Sequence, residues 1–380
     1  MASSTTNRTN RNYALDCLRL VAVLLVLCRH QIGEPTDASA PLWETLRRGG
    51  WVGLDLFFVL SGYLVGGLLF QEHQLRGTLH WKRFLVRRGM KIYPTFYIWL
   101  GIFLIGRWVH GDLPPIRNIL GEVFFLQNYL GGLRDHTWSL AVEEHFYLLL
   151  VATLVVLAGR GCGRAHAFKR VPVIVAGVGV LCLALRLATA GWVPGAGDLP
   201  NTWTHLRIDS LAFGVLLAHW RASRPVDVDG WVRPHRCGWV LFGLLCFVPA
   251  FVLPIETSWW IRTFGFTLNY LGAGALLMAC VDLGAGDAPS RLCRAAAWLG
   301  AFSYPIYVWH MEVVLRVYAG LHLAAGWSVW STAAISVIAS LCVGVAFGCL
   351  VERPVLWWRD RFFPSRSGGD ASARSGAESR

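Results

Sequence analysis

The stretch LDCLRLVAVLLVLCRHQIG, residues 15–33, is apolar enough to enter a membrane, yet it carries ionisable side chains at both ends. Asp16 and Arg19 lie near its start. Arg29 and His30 lie near its end. A spanning helix needs about 20 mostly apolar residues, and ionisable groups inside such a helix are functional candidates by default. The stretch therefore predicts a membrane helix that contributes to a site.

Helical geometry places three of these side chains on one face. Arg19 and His30 are eleven residues apart, which corresponds to about 20° around a helix and about 16 Å along it. Asp16 precedes Arg19 by one turn and shares its side. Arg29 points elsewhere, and we expect it to extend outward toward the membrane surface. Ordinary anchoring by arginine, with a hydrogen-bonded histidine between helices, is an equally good explanation of the spacing.

The composition indicates a polytopic membrane protein. Of the 380 residues, 55% are hydrophobic and 15% are charged, whereas soluble domains average about 25% charged residues. The 19 Trp and 20 Phe suit a surface that faces lipid. The ten cysteines lie mostly in apolar runs without a CxxC pair. They are typical of small buried hydrophobic residues and not of a disulfide or zinc framework.

Hydropathy predicts an all-α fold, a polytopic bundle of about ten transmembrane helices. The short segment 119–130 contains Glu122 and is expected to be interfacial or re-entrant. The first apolar run has no small-residue cleavage site after it, so we expect a retained helix and not a signal peptide. The ten predicted spans are residues 14–33, 51–70, 92–110, 138–158, 171–190, 206–220, 238–254, 263–283, 296–319 and 328–350.

The connections between these spans predict the orientation. With the N-terminus in the cytoplasm, the cytoplasmic segments hold 24 Lys and Arg, against 5 on the opposite side. The positive-inside rule then places both termini in the cytoplasm. The net charge of +12 is a topology signal and does not require a nucleic acid partner. We expect a polar N-terminus over 1–13, a membrane domain over 14–354 and a basic, disordered cytoplasmic tail over 355–380, which can also contact anionic lipid.

The segment VRRGMKIYP, residues 86–94, lies at the predicted cytoplasmic entrance of the third span. Arg88 and Lys91 are one turn apart on one helix face, where they could bind the phosphates of an anionic cosubstrate. Anchoring by the positive-inside rule would explain most of this charge without any ligand. Pro94 is expected at the start of a helix, where proline is tolerated.

The segment HTWSLAVEEHFYLLL, residues 136–150, places carboxylates at a membrane entrance. Glu143 shares a helix face with Ser139, and Glu144 lies 100° away. Such carboxylates are unfavourable in a membrane unless they are paired or hydrated. The HxxxxxxEEH spacing matches no zinc pattern, so no metal site is predicted. Ser139 could also be a helix N-cap.

Three further segments supply candidate residues: LDLFFVLSGYLVGG from residue 54, HLRIDSLAFG from residue 205 and SYPIYVWH from residue 303. Gly62 and Gly66 in the first of these favour close helix packing. The residues that could support the site or contact an acceptor are Trp138, Ser139, Asp55, Asp209, Tyr307 and His310.

These segments, in this order, resemble acyltransferase family 3, bacterial membrane proteins that O-acylate surface glycans and some antibiotics. The resemblance extends from Leu15 to about Pro354. Lys91 stands in place of the second arginine of the family's RxxR entrance. We expect the chain to lack the appended esterase-like domain of larger members. The matching segments are LDCLRLVAVLLVLCRH with Arg19-x10-His30, FFVLSGYLV, RRGMKIYPTFY, TWSLAVEEHFYLL, LGAFSYPIYVWH and VERP.

The resemblance implies a donor and no permanently bound cofactor. The cosubstrate would be a cytoplasmic acyl-CoA, most simply acetyl-CoA. Its phosphates would meet Arg88 and Lys91, and its pantetheine arm would enter the bundle past Arg19, with Asp16 beside the donor path. Because lysine lacks the bidentate geometry of arginine, Lys91 would bind phosphate as a point charge.

The resemblance also implies catalytic roles for His30, Glu143 and Glu144. A neutral imidazole can take the proton of a hydroxyl near neutral pH, so His30 would be the general base or an acyl carrier. Glu143 would orient the histidine or place a negative charge on the acceptor side. Glu144 would be the next candidate for the same role.

The sequence thus predicts an integral-membrane O-acyltransferase of the bacterial cytoplasmic membrane. Its acceptor would be a carbohydrate such as exopolysaccharide or lipopolysaccharide. Acylation of a small secondary metabolite such as a macrolide is a second interpretation. A transporter is a third, because charges along one helix face also mark ion pathways, although the internal repeats common in transporters are not evident. The sequence does not indicate the oligomeric state.

Overall fold

The computed structural model describes residues 12–160, 167–192, 199–281, 283 and 289–364. Within these residues the regular elements are helices, and no strand occurs. The prediction of an all-α fold is therefore confirmed for this part of the chain.

The helices follow the order of the predicted spans. Single 3₁₀ or π turns adjoin several of them at Leu199–Thr202, Ile261–Gly265, Tyr318–Ala324 and Gly348–Glu352. The α-helices of the described part are α1 (Tyr13–Arg29), α2 (Ala40–Gly49), α3 (Val52–Arg76), α4 (Trp81–Val109), α5 (Ile116–Val123), α6 (Gln127–Leu130), α7 (Trp138–Arg160), α8 (Val171–Trp192), α9 (Thr204–Ser223), α10 (Pro225–Val232), α11 (Arg236–Val252), α12 (Phe266–Cys280), α13 (Arg291–Gly300), α14 (Ser303–Val317), α15 (Val329–Phe347) and α16 (Arg353–Phe362).

Six helical segments of the described chain are long and apolar enough to cross a membrane. The helix Arg236–Val252 is apolar but shorter. The chain is therefore a helical membrane protein by the length and composition of its helices. The six segments are Ala40–Arg76, Trp81–Val109, Trp138–Gly159, Val171–Ala190, Ile261–Cys280 and Val329–Phe362.

Several predicted bounds are wrong. Helix α1 ends at Arg29, four residues before the predicted end. Helix α4 starts at Trp81, so Pro94 lies inside it and not at its start. Hydropathy alone stopped the predicted span at the basic residues, although lysine and arginine are good helix formers. The span predicted over 296–319 is broken after Gly300 into α13 and α14.

The segments expected outside the membrane also take definite forms. The predicted interfacial piece 119–130 consists of α5 and α6, each too short to span a bilayer. Helix α16 occupies Arg353–Phe362, so residues 355–362 are helical and the predicted disorder does not hold for them. Residues 1–11 and 365–380 of the predicted termini lie outside the described chain.

The nine described cysteines are free thiols. Cys182 and Cys246 are buried, as predicted, whereas Cys237 and Cys342 are exposed on helix surfaces. Cys162 lies outside the described residues.

Helices α3 and α9 form the most extensive helix pair of the bundle. A Cβ atom on Gly62 would lie 1.9 Å from the Leu211 carbonyl oxygen, and one on Gly214 would lie 2.2 Å from the Val59 carbonyl oxygen. Any side chain at either position would push the two backbones apart. The predicted close packing at Gly62 is confirmed.

A buried network of charges joins this pair to its neighbours. Arg207 on α9 donates to Asp55 on α3 at 2.9 Å, and Arg186 on α8 donates to Asp209 at 2.5 Å. All four side chains are almost completely shielded from solvent. Asn269 of α12 also donates to Asp55. Two buried ion pairs therefore tie α3, α8 and α9 together, and the Asn269 hydrogen bond adds α12.

The location of this network revises two sequence-based candidates. The sequence predicts Asp55 and Asp209 as residues that support the site or contact an acceptor. Neither lines the cavities of the described bundle given below. Their partners are the two buried arginines, so they support the helix arrangement and do not contact the cavities.

We expect Asp55→Ala to destabilise the protein by about 3–5 kcal/mol, because it leaves the Arg207 charge buried without its main partner. The double variant Asp55→Leu/Arg207→Leu removes both charges and should recover much of this loss. Thermal unfolding in one detergent measures both. As a control, Asp112→Ala breaks an exposed ion pair with Arg107 and should leave the midpoint nearly unchanged. Equal midpoints for Asp55→Ala and Asp112→Ala would contradict the structural role.

Candidate active site

Three cavities follow one another through the bundle. We call them the histidine cavity (about 610 Å³, containing His30), the middle cavity (about 310 Å³, containing Arg19) and the basic cavity (about 220 Å³, containing Arg87). Leu54 and Tyr307 line both of the first two cavities. Arg88 and Lys91 line the second and the third. The shared residues place the cavities in one row, with the middle cavity between the other two.

The face of α1 predicted from helical spacing follows this row. Arg19 lines the middle cavity and His30 lines the histidine cavity. Asp16 accepts a hydrogen bond from Arg19 at 2.6 Å. It therefore holds the guanidinium group beside the middle cavity without lining the cavity itself.

Arg29 does not extend outward as expected. Its guanidinium group donates to Glu256 at 2.5 Å and lies 5.1 Å from the centre of the Trp51 ring. It lines the histidine cavity beside His30. The ion pair with a residue 227 positions away explains why a charge is tolerated there, and sequence spacing alone could not reveal that partner.

Three histidine rings lie next to one another. Nε2 of His310 lies 3.2 Å from Nδ1 of His30, and the two ring centroids are 4.9 Å apart. The ring of His136 packs edge-on against His310 at 4.8 Å. His136 and His310 are buried, and His136 lines the histidine cavity. The sequence predicts His310 only as a supporting residue, and His136 is not among the predicted site residues.

The structure brings Glu143 to an arginine and not to a histidine. Glu143 accepts a hydrogen bond from Tyr147 at 2.8 Å and lies 3.9 Å from the guanidinium group of Arg88. Arg88 also donates to Tyr147 and, at 3.2 Å, to Ser61. Glu143 lines the middle cavity and not the histidine cavity. The expectation that Glu143 orients His30 directly is therefore wrong.

Glu144 lies further from the row of cavities. It accepts a hydrogen bond from Tyr93 at 2.8 Å. It lines none of the three cavities. Because the two neighbouring carboxylates lie 100° apart on α7, only Glu143 reaches the middle cavity, and a direct catalytic role for Glu144 has no support in the geometry.

The basic cavity contains the predicted donor-binding residues Arg88 and Lys91 among several cations. Lys91 forms an ion pair with the buried Glu352. Glu72 is the one carboxylate among the lining residues of this cavity in the described chain. The cavity therefore suits a phosphate-bearing ligand. Its cationic lining residues are Arg83, Arg87, Arg88, Lys91 and Arg359.

Helix α16 and the two residues that follow it bind two of these cations. Arg87 forms an ion pair with Asp360 at 3.0 Å and donates to the carbonyl oxygen of Phe363. Arg83 donates to the carbonyl oxygen of Pro364. These contacts span more than 270 positions in the sequence, so the contribution of α16 could not be read from local spacing.

Tyr307 separates the histidine cavity from the middle cavity. Its hydroxyl donates to the carbonyl oxygen of His136 at 2.6 Å and lies 2.6 Å from Oγ of Ser139. Ser139 follows the first residue of α7 and lines the middle cavity, so the N-cap alternative is wrong. Trp138 lines the histidine cavity, with its ring 6.2 Å from that of Trp51.

Glu122 anchors the loop that carries His136. It is fully buried and accepts hydrogen bonds from the Leu133 backbone N–H at 2.8 Å and from the Thr137 hydroxyl at 2.7 Å. Its position in α5 lies outside the candidate membrane-spanning helices. Burial raises the pKa of this carboxyl to about 7, because the charged form is poorly solvated there.

This pKa makes stability depend on pH. Above pH 4.5 the unfolded chain releases the proton, while the folded chain keeps it until about pH 7. The free energy of unfolding therefore falls between these values. We expect Glu122→Gln, which retains an acceptor oxygen for both donors, to remove this part of the pH dependence. Glu122→Ala should lower the unfolding midpoint at every pH.

Thermal unfolding at pH 5, 6, 7 and 8 measures these effects as differences from the wild type. The Gln variant should gain stability relative to the wild type as the pH rises toward 8. Parallel curves for wild type and Glu122→Gln would show that Glu122 does not titrate in this range.

The protein is defined as a membrane protein with an internal site by its long apolar helices, which surround a row of cavities. An imidazole lies at one end of this row and a group of cations at the other. Among the described residues, no three His, Cys, Asp or Glu side chains are arranged to hold a metal ion. A sequence model of the family described as "Acyltransferase domain" matches residues 12–349. The chain therefore belongs to acyltransferase family 3, as its motifs predicted.

Several characterised or provisionally named proteins are similar to this chain. The peptidoglycan O-acetyltransferase OatA of Listeria monocytogenes is 25% identical over 379 residues, which cover 92% of this chain and 57% of the relative. A Bacillus subtilis protein, provisionally named peptidoglycan O-acetyltransferase YrhL, is 28% identical over 330 residues, covering 79% of this chain and 48% of the relative. The chain spans about half the length of these curated relatives. No solved structure matches it.

Proposed function

We propose that the chain is an integral-membrane O-acyltransferase that moves an acyl group, most simply acetyl, from acyl-CoA to a hydroxyl group of a glycan. The observation that carries the proposal is the row of three cavities, with cations at one end and His30 at the other. A charged donor and a neutral acceptor would enter such a row from opposite ends. Family membership and the names of the relatives support transfer to a glycan.

The donor would enter through the basic cavity. Its phosphates are multiply charged anions, and guanidinium groups bind such oxygens in bidentate fashion. The middle cavity, with Arg19 and many apolar side chains, would then hold the pantetheine arm. The separation of about 16 Å along α1 between Arg19 and His30 suits an extended thioester arm that reaches the histidine cavity past Tyr307.

The chemistry proposed for His30 is general-base catalysis. Its imidazole would take the proton of the acceptor hydroxyl while the oxygen forms a C–O bond to the thioester carbonyl carbon. The C–S bond then breaks, and the CoA sulfur leaves as a thiolate that takes up a proton. General-base catalysis of this kind typically contributes about 10²–10⁴-fold in rate. Glu143 would act on the donor side, through its contacts with Arg88 and Tyr147.

The histidine cavity would hold the acceptor. Its volume of about 610 Å³ lies within the range of small-molecule sites, about 300–1,000 Å³. Trp51, Trp138 and Trp203 offer apolar ring faces, and Asn128 and Asp135 offer polar groups. This mixture suits a sugar, which presents both C–H faces and hydroxyl groups. Peptidoglycan is the acceptor named for two of the relatives, and the glycan used by this chain is proposed only as a class.

We further propose ten spans in the bacterial cytoplasmic membrane, with both termini in the cytoplasm. The Lys and Arg asymmetry of 24 to 5 supports this orientation. The basic cavity would then open toward the cytoplasm, where acyl-CoA is made, and His30 would face the opposite side.

We expect His30→Ala to reduce ester formation by about 10²–10⁴-fold, the typical contribution of a general base, while membrane insertion and folding are retained. The assay supplies [¹⁴C]acetyl-CoA and de-O-acetylated peptidoglycan strands to the purified protein. It measures thiol release together with alkali-labile label on the glycan.

His322→Ala is the matched control. His322 is a half-buried histidine whose Nδ1 hydrogen-bonds to the carbonyl oxygen of Trp327. It lines none of the three cavities. Near-normal turnover by folded His30→Ala would refute the catalytic role. An acyl group trapped on His30 would replace direct transfer by a covalent intermediate.

Reporter fusions test the orientation. We expect a fusion after Gly132 to report the extracytoplasmic side and a fusion after Arg236 to report the cytoplasm, because the basic connections stay inside. If both fusions report the same side of the membrane, the number of spans between Gly132 and Arg236 is even. The proposed topology would then be incorrect.

A further inference from the structure

His310 is a buried histidine that lines none of the three cavities. Its side chain is completely shielded from solvent, and its ring contacts the rings of both His30 and His136. A group without access to a cavity cannot touch a substrate held there. Any role of His310 in the reaction must therefore act through a neighbouring residue.

The hydrogen bonds fix which nitrogen of His310 carries its proton. Nδ1 of His310 lies 2.5 Å from the carbonyl oxygen of Tyr307. A carbonyl oxygen can only accept, so Nδ1 carries the hydrogen. In the neutral ring Nε2 is then a bare acceptor, and this is the atom that lies 3.2 Å from Nδ1 of His30.

The same reasoning fixes the tautomer of His30. Its Nδ1 lies 2.9 Å from the carbonyl oxygen of Val26 and 3.2 Å from the bare Nε2 of His310. Both neighbours are acceptors, so Nδ1 of His30 carries the hydrogen and donates to them. The neutral ring then has its free electron pair on Nε2, the nitrogen that remains for a ligand.

We propose that His310 is the positioning residue of the site: together with the Val26 carbonyl it accepts the Nδ1–H of His30, and so it holds the imidazole ring with its unprotonated Nε2 atom available as the base. This inference rests on the proposed function for its catalytic consequence. When Nε2 of His30 takes the hydroxyl proton, the hydrogen bond to His310 becomes charge-assisted and strengthens. His310 itself neither gains nor loses a proton, and the bonds made and broken at the acyl carbon are unchanged.

Two substitutions separate this role from simple packing. His310→Leu fills the buried space but removes the acceptor, whereas His310→Gln supplies an amide oxygen that can accept the same hydrogen bond. Partners that orient histidines at metal sites are typically worth about 10–100-fold, and we expect a loss of that order in kcat for His310→Leu, with both KM values nearly unchanged. The Gln variant should recover most of kcat.

His110→Leu is the matched control. His110 makes the same bond as His30, from Nδ1 to the carbonyl oxygen four residues earlier, but it is exposed and lines none of the three cavities. It should behave as wild type. The probes are [¹⁴C]acetyl-CoA and de-O-acetylated peptidoglycan strands, with each variant purified and shown to be folded.

A second measurement does not depend on the acceptor. Histidine ¹⁵N spectra of the protein in lipid should show His30 with a protonated Nδ1 and a bare Nε2 in the wild type and in His310→Gln. In His310→Leu the Nδ1–H of His30 keeps only the Val26 carbonyl as acceptor, so the ¹⁵N and ¹H signals of Nδ1 should shift away from their wild-type positions. Identical His30 signals in wild type and His310→Leu would overturn the inference.

The outcomes distinguish this inference from the proposed function. Normal kcat in His310→Leu, with activity lost in His30→Ala, would overturn the positioning role alone. Protein that shows the expected ¹⁵N signals, in the wild type and in His310→Leu, but transfers no acetyl group would leave the contact between His310 and His30 supported and would refute the proposed transfer to this glycan.

Discussion

A charge inside an apolar helix bundle must be paired, and this requirement governs how the helices of this protein are arranged. The ion pairs of Arg207 with Asp55 and of Arg186 with Asp209 are almost entirely buried, and loss of one partner in such a pair is strongly destabilising. Each pair specifies which helices must be neighbours. The cavities lie between helices whose positions are set in this way, so the chemistry of the site depends on contacts that take no part in it.

The sequence was sufficient for the parts of the fold that depend on local pattern. Nine of the ten predicted spans overlap one α-helix each, the span over 296–319 is divided between α13 and α14, and Gly62 marks a close helix contact, because hydropathy and small residues act over short distances. The errors occur where charge and helix formation coincide. The start of α4 at Trp81 and the helical residues after Arg353 were missed because basic residues were taken as the ends of spans.

The site was predictable to the extent that it lies on one helix. The spacing of Arg19 and His30 placed them on one face of α1, and they line successive cavities. The pairing of Glu143 with Arg88 and the contact between His30 and His310 could not be inferred, because the partners come from different helices. The nearest of these partners are 55 positions apart, and helical periodicity carries no information over such separations.

The boundary between the two larger cavities bears on the membrane around the protein. Moving one elementary charge through a potential of 100 mV is worth about 2.3 kcal/mol, so a continuous aqueous channel would dissipate the cell's ion gradients. Tyr307 stands at this boundary with its hydroxyl tied to Ser139 and to the His136 backbone. Any such channel through the row would have to pass Tyr307, which lines both cavities.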